Sequence, residues 1–423
     1  MGNHPKRIVI TGVGLVSPLG HAAWETFRAL LAGATIADRR AAVPATTDPV
    51  DFVRAVGCVS IAQHTATDPT VDLAERAARE ALHEAAADPA EMDCVIGASK
   101  GAVQALTSAL GGPHDLGQRR RLIPGIAPAA PADAQLAVAL GPQGYLSYHL
   151  KKRLGCNGVR SVVAACASSL TALHQARLAL LHSPRPTART IVVTAEAALL
   201  PAFIYSYRRL GVLAPLTAQQ YCGRPLDQAR NGFMLSEVGA AVVLEKTSRV
   251  RPGQLELVDT AIATEAHDLI RPAPNMAALT AVARQVMADR PVDLIHAHAT
   301  GTVEQDPAEL LAYQKAIGST HLTSARPVDL YAVKGALGHG LGASGLVSLV
   351  IACLSARTNR RPPMPWLTNP VEMSAGNLRV SGLPQPGVET RLANQAVFAA
   401  GFGGHVAAAL IRRVKSGERN DNP

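Results

Sequence analysis

Apolar residues along the chain gather into short continuous runs rich in Val, Ile and Ala, separated by longer Ala/Leu stretches with helical spacing. Residues 7–11, 93–98, 161–165, 191–196, 240–245, 293–298, 329–334, 395–400 and 405–411 read as strands; 72–87 and 168–181 read as helices. Strands alternating with helices predict an α/β fold with mostly parallel sheets. Such sheets are covered on both faces, which explains the lack of polar alternation in the runs. The charged, Pro- and Gly-bearing stretch 246–253 predicts a seam between an N-terminal half, 1–250, and a C-terminal half, 251–413. Residues 111–131, rich in Gly, Pro and Arg, read as a surface loop, and 414–423 as a disordered polar tail.

Composition narrows the classes. Of 423 residues 48% are apolar, which excludes a disordered chain, and only 4% are aromatic, which argues against a platform for stacking bases. Lys and Arg number 41 against 32 Asp and Glu, a net +9 that suits an acidic partner, nucleic acid or protein. No nucleic-acid reader motif accompanies the charge. The six cysteines, at 58, 94, 156, 166, 222 and 353, contain no CxxC pair, so neither a zinc ribbon nor a dithiol redox motif is present. The start, MGNHPKRIVITG, runs straight into a strand, and no apolar stretch is read as a membrane span. The expectation is a reduced, soluble, cytoplasmic protein.

Three segments could carry chemistry. In SVVAACASSLTAL, 161–173, a strand ends and Cys166 stands where a helix begins. Unpaired N–H groups and the helix dipole there favour a thiolate and can hold an oxyanion, although a buried structural cysteine is the commoner use of such a residue. In DLIHAHATGT, 293–302, a period of two places His296 and His298 on one strand face. In KGALGHGLGASG, 334–345, Lys334 ends a strand and His339 lies in a glycine-rich turn. No acidic or Cys cluster with ligand spacing accompanies the histidines, so no metal is expected. AGFGG, 400–404, adds backbone N–H groups beside a large ring. TGVGLVS, 11–17, imitates a dinucleotide loop, but Ser17 takes the third glycine position and Val16 and Pro18 start a helix poorly.

Taken together, ITGVGLVSPLG, AACASSLTAL, RPLDQARNGFMLSEVGAAVVLE, HAHATGT, VKGALGHGLGASG and GFGGHVAAALI occur in an order and spacing that resembles the elongating β-ketoacyl-acyl carrier protein synthases of the thiolase-fold superfamily. The resemblance covers nearly the whole chain. It implies a thiolase-like fold of two similar halves, with stacked mixed or parallel sheets layered with helices. It also implies decarboxylative Claisen condensation by a Cys-His-His site. Cys166 matches the nucleophile; its N–H and that of Phe402 match the oxyanion hole. His298 and His339 match the histidines that hold the malonyl carbonyl, and Lys334 the lysine that orders them. Thr300 and Thr302 match residues on the phosphopantetheine arm, with Gly401 and Gly403 flanking Phe402, which matches the gate. No cofactor is implied beyond the carrier's own arm.

The chain departs from the pattern in places. Phe398, Ala399 and Ala400 replace Asn-Ser-Phe, and His405-Val406 replace Thr-Asn. Ser348 stands where a glutamate commonly pairs with the lysine; Asp306 and Glu309 persist, and Glu309 is expected to assume part of that role. Ser99-Lys100 replaces small residues near the expected acyl pocket. These changes point away from housekeeping fatty-acid synthesis toward a specialised polyketide or polyene pathway. The implied partner is acyl carrier protein, docking on Arg119, Arg120 and Arg121 and near Arg208 and Arg209, with the chain in a homodimer or a related heterodimer. A starter-supplying malonyl decarboxylase and a silent chain-length or scaffold subunit are the competing readings. Both usually lack the cysteine that this chain keeps.

Overall fold

The computed structural model describes residues 6–42, 47–59, 68–110, 132–215, 223–288, 290–318, 327–372, 377–383 and 392–415. Residues 111–131, with Arg119, Arg120 and Arg121, and residues 416–423 lie outside the described residues. Eleven strands are found among those described: β1 Arg7–Val16, β2 Asp93–Gly97, β3 Val159–Val162, β4 Arg189–Glu196, β5 Val238–Thr247, β6 Leu255–Thr264, β7 Leu294–His296, β8 Val328–Tyr331, β9 Leu378–Arg379, β10 Asn394–Ala400 and β11 His405–Arg413.

Their order is β3-β2-β4-β5-β1-β6-β11-β10-β7-β8-β9. Read outward from the centre, β1-β5-β4-β2-β3 of the first half repeats as β6-β11-β10-β7-β8 of the second, with β9 added at the edge. The halves join where Val9 pairs with Glu256 and Ile10 with Leu255, so the sheets run on as one ladder. Five of the ten strand pairings are antiparallel, so the sheet is mixed where the sequence suggested mostly parallel pairing. Two elements also differ from the sequence reading. β6 was not anticipated, because Glu256, Asp259 and Thr260 interrupt its apolar run. Lys334 opens the short helix Lys334–Leu337 instead of ending β8.

Two helices form the middle layer. Ser168–His182 packs on β2 and β4 of one half and on β6 and β11 of the other. Ser344–Thr358 packs on β10 and β11 and on β1 and β5. The second helix is covered on all sides, with residues 344–356 buried, and has no polar face. Together with the turn before it, Leu341–Thr358 reaches 18 residues at mean hydropathy 1.5, a span-length stretch that the sequence reading overlooked. Since 89% of it is buried inside the fold, it is a core helix. The outer faces carry Pro69–Glu84 on one side and Ala277–Met287 on the other.

The glycines of TGVGLVS lie within β1 and let the helix Pro69–Glu84 approach it. A Cβ on Gly12 or Gly14 would fall 2.0 Å from the carbonyl oxygen of Ala81 or Ala77. Gly14→Val is therefore expected to cost about 1–3 kcal/mol or more through overpacking. A thermal melt should show a lower midpoint or loss of soluble protein; an unchanged midpoint would mean that the helix can withdraw freely.

Candidate active site

Each central helix is preceded by a reactive residue. Cys166 follows β3 and precedes Ser168–His182; His339 follows β8 and precedes Ser344–Thr358. Because β3 and β8 occupy equivalent places in the two halves, thiol and imidazole come to one region from opposite sides. The turn at Cys166 is held by Ser168, whose Oγ accepts from the Ala164 N–H at 2.8 Å and donates to the Ala165 carbonyl at 2.6 Å. Ala165 adopts a left-handed φ of 46°, a conformation rarely taken by a side-chain-bearing residue and one that marks functional turns. A Cβ on Gly401 would come 2.7 Å from the Cys166 nitrogen, so the glycine leaves that N–H approachable.

His339 is fixed through its backbone: its N–H donates to Met234 at 2.6 Å, and its carbonyl accepts from Ser236 at 3.2 Å. Its Nδ1 lies 2.8 Å from Ser344 Oγ, and Phe233 packs edge-on against the ring at 4.8 Å. His298 lies past the end of β7. Its N–H and that of Ala299 donate to the Glu309 carboxylate at 2.6 and 2.8 Å, and Tyr313 donates its hydroxyl to the same group. The two imidazole centroids stand 5.6 Å apart at 81°. Lys334 donates to the His298 carbonyl and to Nδ1, the latter at 3.4 Å. An ammonium group has no acceptor, so Nδ1 must accept and the ring proton belongs on Nε2.

Electrostatics follow from burial. Desolvation, reinforced by the Lys334 charge, holds both imidazoles well below the ordinary histidine range, so they are neutral donors at physiological pH. Burial lowers Lys334 to about 8, opposed by the fields of Glu309, Cys166 and Asp306. Glu309 has no direct ion pair with the lysine among the described residues. It acts through its field, while burial raises its own carboxyl. Asp306 accepts from Leu226 at 2.8 Å and Gly301 at 3.0 Å, shaping the turn that carries Thr300 and Thr302. Ser348 is buried in the core helix. The thiolate expected at Cys166 is not the resting state: burial pushes the thiol up to about 11, with Lys334 pulling the other way.

A cavity of about 330 Å³ collects Cys166, His298, His339, Thr300, Thr302, Gly401, Phe402 and Gly403. Phe402 stacks on Tyr207, ring centroids 6.4 Å apart. His296 does not share this cavity with His298; its Nε2 pairs with Gln395 at 2.7 Å, and burial lowers it to about 4. β7 ends at His296, so the two-residue period no longer governs His298. The sequence reading gave no role to Tyr207, Phe233 or Ser344, although Phe233 and Ser344 lie within the quoted motifs. It also missed the segment 265–273, which forms one wall. No group of three or more His, Cys, Asp or Glu among the described residues could hold a metal.

Alkylation of Cys166 by iodoacetamide, followed by mass spectrometry, should keep rising beyond pH 9 instead of levelling near the ordinary thiol pKa. Lys334→Met removes a charge that lowers this thiol, and should slow alkylation several-fold at pH 8. A plateau below pH 9 would contradict the burial argument.

Comparison with known proteins identifies the family and the fold. The beta-ketoacyl synthase N-terminal domain matches residues 5–249 and the C-terminal domain residues 255–367. A 3-oxoacyl-[acyl-carrier-protein] synthase 2 of Coxiella burnetii is 26% identical over 97% of this chain and 99% of its own. A putative polyketide beta-ketoacyl synthase 1 of Streptomyces halstedii is 26% identical over 96% of this chain and 98% of its own. Among solved structures, the ishigamide ketosynthase/chain length factor superposes with a TM-score of 0.74 at 19% identity, covering 97% of this chain and 100% of that one. A ketosynthase complex with a type II PKS acyl-carrier protein, bound to the hexaketide, reaches 0.75 at 19%, with the same coverage. These likenesses show a shared thiolase-like α/β architecture. With domain matches spanning most of its length, the chain belongs to the beta-ketoacyl synthase family.

Proposed function

We propose that this chain condenses a carrier-bound malonyl unit with an acyl group held on Cys166. The single observation that carries the reading is the convergence of one thiol and two neutral imidazoles on one cavity. The Cys166 sulfur attacks the acyl thioester, forming a new C–S bond and releasing the carrier's thiol. Malonyl thioester then binds along Thr300 and Thr302. Its thioester oxygen accepts from the Nε2–H of His298 and from His339 as the carboxyl group leaves as CO2. The enolate carbon attacks the acyl carbon, the C–S bond to Cys166 breaks, and the departing thiolate takes a proton from water. Donors that are already neutral and aimed need no reorganisation as the negative charge develops. The N–H groups of Cys166 and Phe402 serve as the second oxyanion site, and Phe402 as the gate.

Acyl carrier protein is the partner that suits the charge. Arg208 and Arg209 are exposed at the end of the helix Pro201–Arg209, and the next residues, Leu210 and Gly211, line the cavity. β3 lies at one edge of the ladder with Arg160 and Ser161 exposed, a place for pairing with a second subunit, identical or related. The departures at Ser348, at Phe398–Ala400 and at His405 favour a specialised polyketide or polyene pathway over housekeeping fatty-acid synthesis. The silent-scaffold reading is disfavoured by the retention of Cys166, His298, Lys334 and His339 in one connected arrangement.

Decarboxylation needs the imidazoles, whereas condensation also needs the thiol. Cys166→Ala should abolish condensation yet still release CO2 from malonyl carrier protein. His298→Ala and His339→Ala should lower both by about 10²–10³-fold. Product mass spectrometry and CO2 release measure the two arms. A Cys166→Ala protein that condenses as the wild type does would overturn the nucleophile role, and a wild type that neither condenses nor releases CO2 would favour the silent-scaffold reading.

A further inference from the structure

The site described so far draws on the strand ends β7, β8 and β10 of the second half, but only on β3 in the first. β2 occupies in its half the place of β7. β7 ends at His296 and is followed after one residue by His298; β2 ends at Gly97 and is followed after one residue by Ser99, then Lys100. Lys100 thus stands at the internal counterpart of the His298 turn.

Close packing confirms the placement. A Cβ on Gly97 would fall 2.6 Å from the carbonyl of Ser168, which opens the helix after Cys166. A Cβ on Gly342, shortly after His339, would fall 2.6 Å from the Ser99 nitrogen. The segment is therefore wedged between the loops that carry the thiol and the imidazole. Glu196, at the end of β4, accepts from the Ser99 N–H and from the Lys100 N–H, the latter at 3.2 Å, which fixes the backbone. The Lys100 Nζ lies 5.3 Å from the centroid of Phe203, and Phe203 shares an apolar cluster with Tyr207, Leu341 and Phe402. Cys166, Tyr207 and Phe402 line the main cavity, and Phe203, with Lys100 over its ring, packs into the same cluster as Tyr207 and Phe402. Among the described residues no carboxylate lies within 4.0 Å of Nζ, yet its charge reaches Cys166 and lowers that thiol.

We propose that Lys100 reads the acyl group on Cys166 by donating to an oxygen on that chain, so that the enzyme prefers oxygen-bearing acyl groups over saturated ones. The inference rests on Cys166 as acyl acceptor. A hydrocarbon tail would desolvate the ammonium and offer it no acceptor, whereas a keto or carboxylate oxygen replaces the lost water.

The test uses three six-carbon pantetheine thioesters, hexanoyl, 3-oxohexanoyl and adipyl, with acylation of Cys166 followed by intact-protein mass spectrometry. The wild type should take at least one oxygenated chain about tenfold faster than hexanoyl. The faster of the two tells an internal keto oxygen from a terminal carboxylate. Lys100→Met should level or reverse the ratio, and Lys100→Arg should keep most of it. A ratio unchanged in Lys100→Met, or hexanoyl fastest in the wild type, overturns the role of Lys100 alone. If no thioester acylates Cys166, the acyl-acceptor reading falls, and this inference with it. Should Lys100→Met fail to fold, Lys100→Leu, which likewise has no donor, reads the same ratio.

Discussion

An ammonium group can only donate hydrogen bonds, and the buried Lys334 directs its donors at the carbonyl and the Nδ1 of His298. The rest of the site depends on this contact. It assigns the ring proton to Nε2 without any further residue. The same charge helps keep both imidazoles neutral and partly offsets the desolvation that raises the Cys166 thiol. A cation in so dry a place needs a counter-field, and with serine at 348 the field comes from Glu309 and Asp306 on the helix Gln305–Gly318. Those carboxylates also hold the backbone of His298, Ala299 and Gly301, so charge balance and loop shape are maintained by the same atoms.

Residues 166, 298 and 339 meet because the two halves share one strand order. In α/β sheets, ligand sites form beyond the carboxyl ends of the strands. Here β2, β3 and β4 of one half and β7, β8 and β10 of the other end around the same central helices. Each half supplies a reactive residue just before its central helix: a nucleophile in one, a hydrogen-bond donor in the other. The equivalence also explains why Lys100 and Glu196, which carry no obvious motif, lie close enough to influence the sulfur.

Much of this was legible in the sequence where one residue type in one setting carries the signal. Cys166 at a strand-to-helix turn, and His339 among glycines, are examples. What escaped depended on neighbours distant in the chain. β6 was hidden because its polar residues pair with Arg7, Arg177 and Arg412, partners that a local window cannot show. The separate environments of His296 and His298 follow from where β7 ends, and the protonated thiol from a burial that no motif encodes. The glycines at 12 and 14, which imitate a cofactor loop, are explained by the close approach of a helix.

The central claim is that the two imidazoles are neutral with their protons already placed. Nitrogen-15 NMR of histidine-labelled protein, assigned with His298→Asn and His339→Asn, reads protonation and tautomer directly between pH 5 and 8. The account predicts two rings that stay neutral across that range, with His298 protonated on Nε2. A His298 signal titrating near 6.5, or one carrying its proton on Nδ1, would contradict it.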